Sequence, residues 1–195
     1  MRFIQENALP TQETSKSYDK LEIMEPLTQL SKKMSFALRH RPEQYNLVLE
    51  AEGWAELVEF AEKLEITVEI VQQVVAQDSK QRFTIRDGKI RAAQGHTTKV
   101  NIKFTSPTPP AVLWHGTTVE ALTVIMKTGL LPMKRQHVHL SATREQAVIV
   151  GSRHKGKLAV LQVDTTTLRR HTKLMMADNG VWLADFVPAE CLKAE

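Results

Sequence analysis

The stretch RFTIRDGKIRA, residues 82–92, decides how the first half of the chain folds. Two short runs alternate apolar and polar side chains on either side of Asp87–Gly88, and this arrangement predicts a β-hairpin with a two-residue turn. Phe83 and Ile85 fall on one face, which is expected to meet a core. The opposite face, directed to solvent or to a ligand, carries Arg82, Thr84 and Arg86. A solvated strand edge protected by charge is the simpler explanation of this basic face.

Three helices are predicted before the hairpin. The first begins at Leu27 and should end near His40, because a proline two residues later disfavours helical conformation before it. The segment LVLEAEGW, residues 47–54, suggests a short strand, and ELVEFAEKL, residues 56–64, predicts the second helix. Thr67 is a suitable N-cap for the third. Helix, short strand, two helices and a hairpin is the order of a winged-helix module.

The chain is expected to be α+β, with two lobes. Residues 1–26 are polar and aperiodic and are interpreted as a poorly ordered extension. The winged-helix lobe covers residues 27–102, and the proline-rich residues 103–110 form a semi-rigid linker. Residues 111–195 read as alternating strands and helices followed by a second hairpin around Asn179–Gly180.

Bulk properties narrow the class of protein. The net charge of +4 is compatible with a nucleic-acid partner but indicates one only weakly. Cys191 is the single cysteine, which fits a reducing compartment and predicts a cytoplasmic protein. The sequence has no apolar run of about 18 residues and no secretory signal at its start, so no membrane partner is expected. A monomer is the expected oligomeric state.

Cationic side chains gather in two motifs of the first lobe. LRHR, residues 38–41, places Arg39 and His40 at the predicted end of the first helix. Cations there interact favourably with the helix dipole and the last carbonyls, which is one explanation. A guanidinium can also bind phosphate in bidentate fashion, which is the other. Arg91, in IRAAQGH, lies on the return strand of the hairpin.

The motif LWHGTT, residues 113–118, ends a predicted strand. Gly116 permits a tight turn and close backbone approach. Thr117 and Glu120 form a capping box for the next helix, which explains Thr117 structurally. His115 is either a satisfied core histidine or a group that faces a ligand above a helix N-terminus, where phosphates are favoured.

The motif MKRQHVHLS, residues 133–141, holds a third group of cationic and polar side chains. If HVHL is a strand, His137 and His139 share one face, and the apolar residues between and after them suffice for the core. Arg135 precedes the strand, and Ser141 begins the turn into the next helix. A metal site is not expected, because the chain has neither an HxxxH nor a CxxC pair.

In this combination and order, the motifs resemble the KptA-type RNA 2′-phosphotransferases. The resemblance covers about residues 27–190. The matching segments are LSKKMSFALRHRPE, LVLEAEGW, QRFTIRDGKIRAAQGH, LWHGTT, TGLLPMKRQHVHLS, VGSRHKG, VLQVD and VWLADFVP.

The resemblance implies an RNA-binding winged-helix lobe and a lobe similar to ADP-ribosyltransferases that holds NAD⁺ as co-substrate, without a metal. It implies removal of an internal 2′-phosphate from RNA, such as one at a tRNA splice junction. In the family, the 2′-phosphate attacks C1 of the nicotinamide ribose and expels nicotinamide. The ribose 2-hydroxyl of this 2′-phospho-ADP-ribosylated RNA then attacks the phosphorus. The products are RNA with a 2′-OH and ADP-ribose 1″,2″-cyclic phosphate.

The resemblance also implies roles for individual residues. The catalytic set would be Arg39, His40, Arg91 and Arg135, and the NAD⁺ site would use His115, Gly116, Thr117, His139 and Ser141. Arg153, in VGSRH, would contact the pyrophosphate. A phosphate nucleophile is already anionic, so guanidinium groups that hold and aim it suffice for the first step. The glutamate of ADP-ribosyltransferases is missing near Val181, which fits an acceptor that needs no activation.

Three alternatives stay open at the level of sequence. An ADP-ribosyltransferase that acts on protein or on nucleic-acid ends would share the NAD⁺ pocket. A 2H-type phosphoesterase would use His115 and His139, each in an H-x-[ST] motif, as general acid and base without NAD⁺. A protein that only binds nucleic acid would use the first lobe and leave the histidines of the second unexplained.

Overall fold

The computed structural model describes the backbone of residues 15–195 and the side chains from residue 27 onward. The predicted extension, residues 1–26, therefore lies partly outside the described residues. Its last part belongs to the first helix, which begins at Ser15 rather than at the predicted Leu27.

Residues up to 92 form three helices and a three-stranded antiparallel sheet of order β1-β3-β2. The elements are α1 (Ser15–Arg39), β1 (Ala55–Glu56), α2 (Leu57–Lys63), α3 (Val68–Gln77), β2 (Phe83–Arg86) and β3 (Lys89–Ala92). The predicted helix end near His40, the second helix and the Thr67 cap are confirmed, since the Thr67 side chain accepts a hydrogen bond from Ile70 N. The hairpin is confirmed too, with positive φ at both turn residues, Asp87 and Gly88.

The predicted strand over LVLEAEGW is wrong. Residues 47–50 belong to no strand, and Ala51–Gly53 is a short 3₁₀ turn. Glu52 has φ 64° and Gly53 has φ 78°, so two successive left-handed residues bend the chain before β1 begins at Ala55. Backbone in this region cannot continue a strand.

Residues from 112 onward form two further three-stranded antiparallel sheets, of order β4-β6-β9 and β5-β8-β7. The elements are β4 (Val112–Thr118), α4 (Val119–Thr128), β5 (Val138–Leu140), α5 (Arg144–Gly151), β6 (Leu158–Asp164), α6 (Thr165–Leu168), β7 (Met175–Met176), β8 (Trp182–Ala184) and β9 (Leu192–Ala194). The protein is thus α+β, as predicted. The second hairpin is confirmed as β7–β8, whereas α6 and β9 were not predicted.

Two predictions about LWHGTT need correction. The N-cap of α4 is Thr118, whose hydroxyl accepts from Ala121 N, so Thr117 is a buried residue of β4 instead. Gly116 also lies inside β4 and makes no turn. Its predicted close approach is confirmed, because a Cβ there would lie 2.0 Å from the carbonyl oxygen of Ala147 in α5.

The change Gly116→Ala is therefore expected to destabilise the protein by about 3 kcal/mol or more, because backbone of α5 must move away from β4. Urea denaturation of the variant measures this loss. Gly88→Ala is the matched control: its Cβ would meet nothing within 4 Å, and only the positive φ would cost about 1 kcal/mol. Equal losses in the two variants would contradict the tight α5–β4 contact.

Two hydrophobic cores divide the described residues, and we call the parts around them the first and second lobe. The first core draws on buried residues between 34 and 92, and the second on buried residues between 113 and 192. The turn of the second hairpin docks on the first lobe, where Asp178 Oδ2 accepts from Arg91 Nη2 at 2.7 Å and from Thr84 Oγ1 at 3.2 Å. In the described part of the chain, no helix is long and apolar enough to span a membrane.

Candidate anion-binding cleft

Arg39 ends α1, but its side chain does not cap the helix. Its carbonyl oxygen accepts hydrogen bonds from Thr97 N at 2.9 Å and Thr98 N at 3.1 Å, both in the loop after β3. The guanidinium instead donates to Arg82 O at 3.4 Å, and its buried Nε has no hydrogen-bond partner among the described residues. Capping therefore explains the position of the backbone and leaves the cationic side chain unexplained.

Arg39 lies among other cations. Burial, together with the positive charges of Arg82 and Arg135, lowers the pKa of Arg39 to about 10. Arg82 belongs to the first lobe and Arg135 to the second, so the cluster bridges the two lobes. Like charges so close together disfavour one another unless an anion lies between them. The cleft is consequently a candidate site for an anionic group.

His40 lies beside Arg39 and is uncharged at neutral pH. Its Nδ1 lies 3.1 Å from Thr97 Oγ1. Burial, followed by the charges of Arg39 and Arg135, lowers the pKa of His40. A neutral imidazole with one anchored nitrogen can exchange a proton at the other, which is the property of a general acid or base.

The second lobe contributes a pair of histidines from neighbouring strands. Backbone bonds between Trp114 and Ser141, of 2.9 and 2.7 Å, join β4 to the end of β5. This pairing brings His115 Nδ1 to 3.0 Å from His139 O. Because a carbonyl oxygen only accepts, His115 Nδ1 carries a hydrogen.

His139 is tied to Arg135. Arg135 Nη1 donates to His139 Nδ1 at 2.6 Å, so the hydrogen of the neutral imidazole lies on Nε2. Burial, with the nearby Arg135 charge, lowers the pKa of His139 to about 3. His139 is therefore a neutral donor at physiological pH, and Arg135 is fixed by an imidazole rather than by a carboxylate.

Arg153 lies near the same cleft, after α5. Burial lowers the pKa of Arg135, and the charge of Arg153 lowers it further. Burial also lowers the pKa of Lys80 in the first lobe, and Arg153 is the charge with the largest effect on it. Lys80, Arg135 and Arg153 thus extend the positive field across both lobes. His137, by contrast, points to Phe104, with ring centroids 5.6 Å apart, and lies 3.9 Å from Asp185.

Arg91 has a different environment from the other predicted catalytic residues. It is 5% exposed, its Nη1 donates to Glu52 Oε2 at 3.3 Å, and its Nη2 donates to Asp178 Oδ2 at 2.7 Å. Its guanidinium stacks on Trp54 at 4.5 Å from the ring centroid. Two carboxylates pair with its terminal nitrogens, but its buried Nε has no hydrogen-bond partner among the described residues. After burial, the charges of Arg39, His40 and Arg91 all lower the pKa of His96, so Arg91 borders the cluster around Arg39.

Arg82 lies on the face of the hairpin that the sequence left open to solvent or to a ligand. It precedes β2, forms an ion pair with Asp78 and lies close enough to Arg39 to lower the pKa of Arg39. Its nearness to the end of α1 follows from tertiary packing. The available sequence signal was its place in QRF, directly before the alternating run of the hairpin.

A cavity of about 590 Å³ opens beside this cluster, between α1 and the segment from α3 to β2. Arg39, His40 and Arg82 lie in its wall. Lys32 and Lys80 add positive charge, and hydroxyl groups line the side formed by α1. The size and polarity are suited to a polar ligand group that continues away from the arginines.

Among the described residues, no group of three or more His, Cys, Asp or Glu side chains is arranged to hold a metal ion. Val181, near which the sequence resemblance implies the position of the ADP-ribosyltransferase glutamate, lies between the hairpin turn and β8. Its carbonyl accepts from Ala177 N at 2.9 Å.

His96 provides a pH-dependent test of this first-lobe packing. It is 3% exposed, and burial lowers its pKa to about 4. In the unfolded chain this histidine has a pKa near 6.5, so it binds a proton at a pH where the folded protein keeps it neutral. The free energy of unfolding therefore falls as the pH drops from about 6.5 toward 4. This histidine contributes up to about 1.4 kcal/mol per pH unit in that window.

Replacement of His96 by asparagine should make the pH dependence of the free energy of unfolding shallower between pH 7 and 5. Urea titrations of the two proteins at several pH values measure it. The comparison uses slopes, because a uniform loss of stability from repacking shifts the whole curve. Parallel curves for wild type and variant would contradict a buried neutral His96.

The fold and the site define an α+β protein whose lobes enclose an anion-binding cluster of arginine and neutral histidine side chains. The family model for "RNA 2'-phosphotransferase, Tpt1 / KptA family" matches residues 25–186. Curated relatives share this description. A "Probable RNA 2'-phosphotransferase" of Fusobacterium nucleatum is 42% identical over 172 residues, covering 84% of this chain and 96% of the relative.

The similarity extends across distant organisms. Proteins with the same description from Acaryochloris marina and Pyrococcus furiosus are 46% and 40% identical, each over 84% of this chain and over 94% and 92% of their own lengths. The chain belongs to the RNA 2′-phosphotransferase family.

Proposed function

We propose that this chain removes an internal 2′-phosphate from RNA with NAD⁺ as co-substrate, by the two-step route that the sequence resemblance implies. The proposal includes a winged-helix first lobe, an ADP-ribosyltransferase-like second lobe and a cytoplasmic monomer. The order of three helices and a hairpin in the first lobe supports the first of these. The family assignment supports the reaction class.

One observation carries the proposal: Arg39 lines the cavity with His40 and Arg82, and the charges of Arg82 and Arg135, from two lobes, lower its pKa after burial. Arg82 has a carboxylate partner in Asp78, whereas Arg39 and Arg135 have no ion pair among the described residues. A phosphate monoester dianion has the charge and the acceptor oxygens that such a cluster requires. Arg39, His40, Arg91 and Arg135 are proposed as the catalytic set, and Arg82 is proposed to help them hold the 2′-phosphate.

The second lobe fits the dinucleotide by its donors. His139 presents Nε2–H, since its Nδ1 accepts from Arg135, and can donate to a ribose hydroxyl. Arg153 provides charge suited to a pyrophosphate. His115, Gly116, Thr117 and Ser141 are proposed to shape the same pocket. When bound, NAD⁺ supplies an electrophilic ribose carbon whose leaving group is nicotinamide.

The chain's own residues would stabilise charge, orient the 2′-phosphate and move a proton. Guanidinium groups that replace water around the 2′-phosphate hold it in one orientation at low entropy cost during reaction. The same groups stabilise charge at phosphorus in the second step. His40, neutral and anchored through Nδ1, can move a proton at Nε2 when the RNA 2′-oxygen departs.

A labelled phosphate tests the proposal. Purified protein is mixed with a short RNA that carries one internal radiolabelled 2′-phosphate, with and without NAD⁺, in the presence of EDTA. We expect the label in a cyclic-phosphate derivative of ADP-ribose, and only when NAD⁺ is present.

The other outcomes distinguish the rival functions. Release of label that ignores NAD⁺ would support a phosphoesterase that uses His115 and His139. Tight NAD⁺ binding without phosphate transfer would support an ADP-ribosyltransferase with another acceptor. If transfer did not occur in EDTA but occurred once a divalent metal was supplied, the metal-free mechanism would be contradicted.

A further inference from the structure

A second basic concavity lies on the second lobe, apart from the Arg39 cluster. Linker residues 106–109 form one wall and residues 169–174 form the other, around a volume of about 550 Å³. We name it the RRHTK hollow after the sequence of residues 169–173. The family assignment and the proposed reaction leave this surface without a role.

The cations of the RRHTK hollow are largely unpaired. Arg169, Arg170 and Lys173 are exposed and form no ion pair within the described part of the chain. His171 contacts Glu190, with Nε2 and Oε1 2.9 Å apart. The nearby Asp164 uses its carboxylate to accept from Thr166 N and Thr167 Oγ1. The net charge of the hollow is thus clearly positive.

The hollow is also held in shape. Leu168 and Leu174, on either side of the charged segment, are buried in the second core. Backbone bonds from Arg169 N to Thr165 O and from His171 N to Leu168 O fix the turn between them. Prolines at 107 and 109 stiffen the facing wall. Cations held in a rigid concavity lose less entropy on binding than cations on mobile side chains of a flexible loop.

Its position is suited to RNA that extends beyond the reacting nucleotide. His139 pairs with Leu183, and Leu183 pairs with Met175, so Met175 lies roughly 10 Å from His139 across two strand spacings. Lys173 lies two residues before Met175 in the chain. The hollow therefore adjoins the start of β7, the edge strand of its sheet that lies away from β5 and His139.

We propose that the RRHTK hollow docks backbone phosphates of the substrate RNA away from the reacting nucleotide. This inference rests on the proposed function for its partner and adds a second contact for long, folded RNA. Phosphate contacts of this kind position a nucleic acid without reading its sequence. A short oligonucleotide would reach the Arg39 cluster and leave the hollow empty.

The test compares the triple variant Arg169→Gln/Arg170→Gln/Lys173→Gln with the control Lys63→Gln/Lys127→Gln/Lys193→Gln. The control removes three exposed lysines elsewhere, so both proteins change from a net charge of +4 to 4 − 3 = +1. Two probes carry the same internal 2′-phosphate: a short oligonucleotide and a folded RNA of tRNA length. Fluorescence anisotropy without NAD⁺ gives Kd across a salt series, and turnover with NAD⁺ gives kcat/KM.

We expect the hollow variant to bind the folded RNA on the order of 10-fold more weakly than wild type near 0.1 M salt. The slope of log Kd against log salt should become shallower by about 2 to 3, one for each lost phosphate contact. Its Kd and kcat/KM for the short oligonucleotide, and all values of the control, should match wild type.

Unchanged binding of folded RNA, an equal loss for both probes, or an equal loss in the control would overturn the inference. Failure of the proposed function would look different. Wild type would then not turn over the short oligonucleotide, while the anisotropy comparison on folded RNA would still decide whether the hollow binds phosphates.

Discussion

Replacement of Arg39 by glutamine is expected to lower kcat/KM on a 2′-phosphorylated oligonucleotide on the order of 10³-fold. The Arg39 guanidinium lies near other cations and forms no ion pair with a carboxylate among the described residues. Its removal should therefore weaken mainly the binding of an anionic ligand. Stability should change little, because the bonds from Thr97 N and Thr98 N go to the backbone carbonyl of residue 39. Relief of repulsion from Arg82 and Arg135 offsets the lost side-chain bond. Steady-state kinetics and a thermal melt measure both effects.

Arg41→Gln is the matched control for Arg39→Gln. Arg41 is two residues away, and its one ion pair among the described residues is with Glu43, at 3.4 Å, where both side chains are largely exposed. Its replacement should leave activity and melting temperature near wild type. An inactive Arg39→Gln protein that has also lost its cooperative melt would support a structural role for this arginine instead.

The second large effect on activity is expected when Arg82 or Arg91 is replaced, and the two variants should differ in stability. Arg82→Gln is expected to reduce kcat/KM on the order of 10²-fold, since it removes a cation that faces Arg39. The stability cost should be about 1 kcal/mol, because Asp78 still accepts from the backbone N–H groups of residues 80 and 82. Arg91→Met should instead destabilise the protein by about 2 kcal/mol, since it leaves Glu52 and Asp178 without their shared partner.

Measured well below its melting temperature, Arg91→Met should also lower kcat/KM on the order of 10²-fold, because its guanidinium belongs to the proposed catalytic set and its buried Nε has no partner among the described residues. Arg91→Lys keeps a cation and should recover part of the stability. A folded Arg91→Met protein with nearly wild-type activity would contradict the catalytic role and leave Arg91 only the docking of the Asp178 turn.

The hairpins were predictable because their turns are encoded locally. Asp87–Gly88 and Asn179–Gly180 favour positive φ, and the flanking runs alternate with a period of two. The strand predicted over LVLEAEGW was wrong for the opposite reason. Its apolar spacing is typical of a strand, but Glu52 adopts the left-handed region within a bend. Nothing in the spacing of side chains identifies such a bend, since glutamate has no local preference for it.

The residue types of the candidate site could be predicted from the sequence, but the contacts of their side chains could be predicted less well. The motifs named Arg39, His40, Arg135 and His139, and the structure brings these four side chains into one electrostatic cluster. The contact of the Asp178 turn with Arg91 on β3 was not predicted. That contact joins residues 87 positions apart in the chain, and a single sequence carries no signal for it.

The stoichiometry of nicotinamide release shows whether phosphate removal and NAD⁺ cleavage are one reaction. Wild-type protein is incubated with excess NAD⁺ and a limiting amount of 2′-phosphorylated oligonucleotide, and both nicotinamide and 2′-OH RNA are quantified. We expect equal molar amounts, with no nicotinamide formed on the same oligonucleotide without its 2′-phosphate. Formation of 2′-OH RNA without nicotinamide, or nicotinamide release that does not depend on the 2′-phosphate, would contradict this expectation.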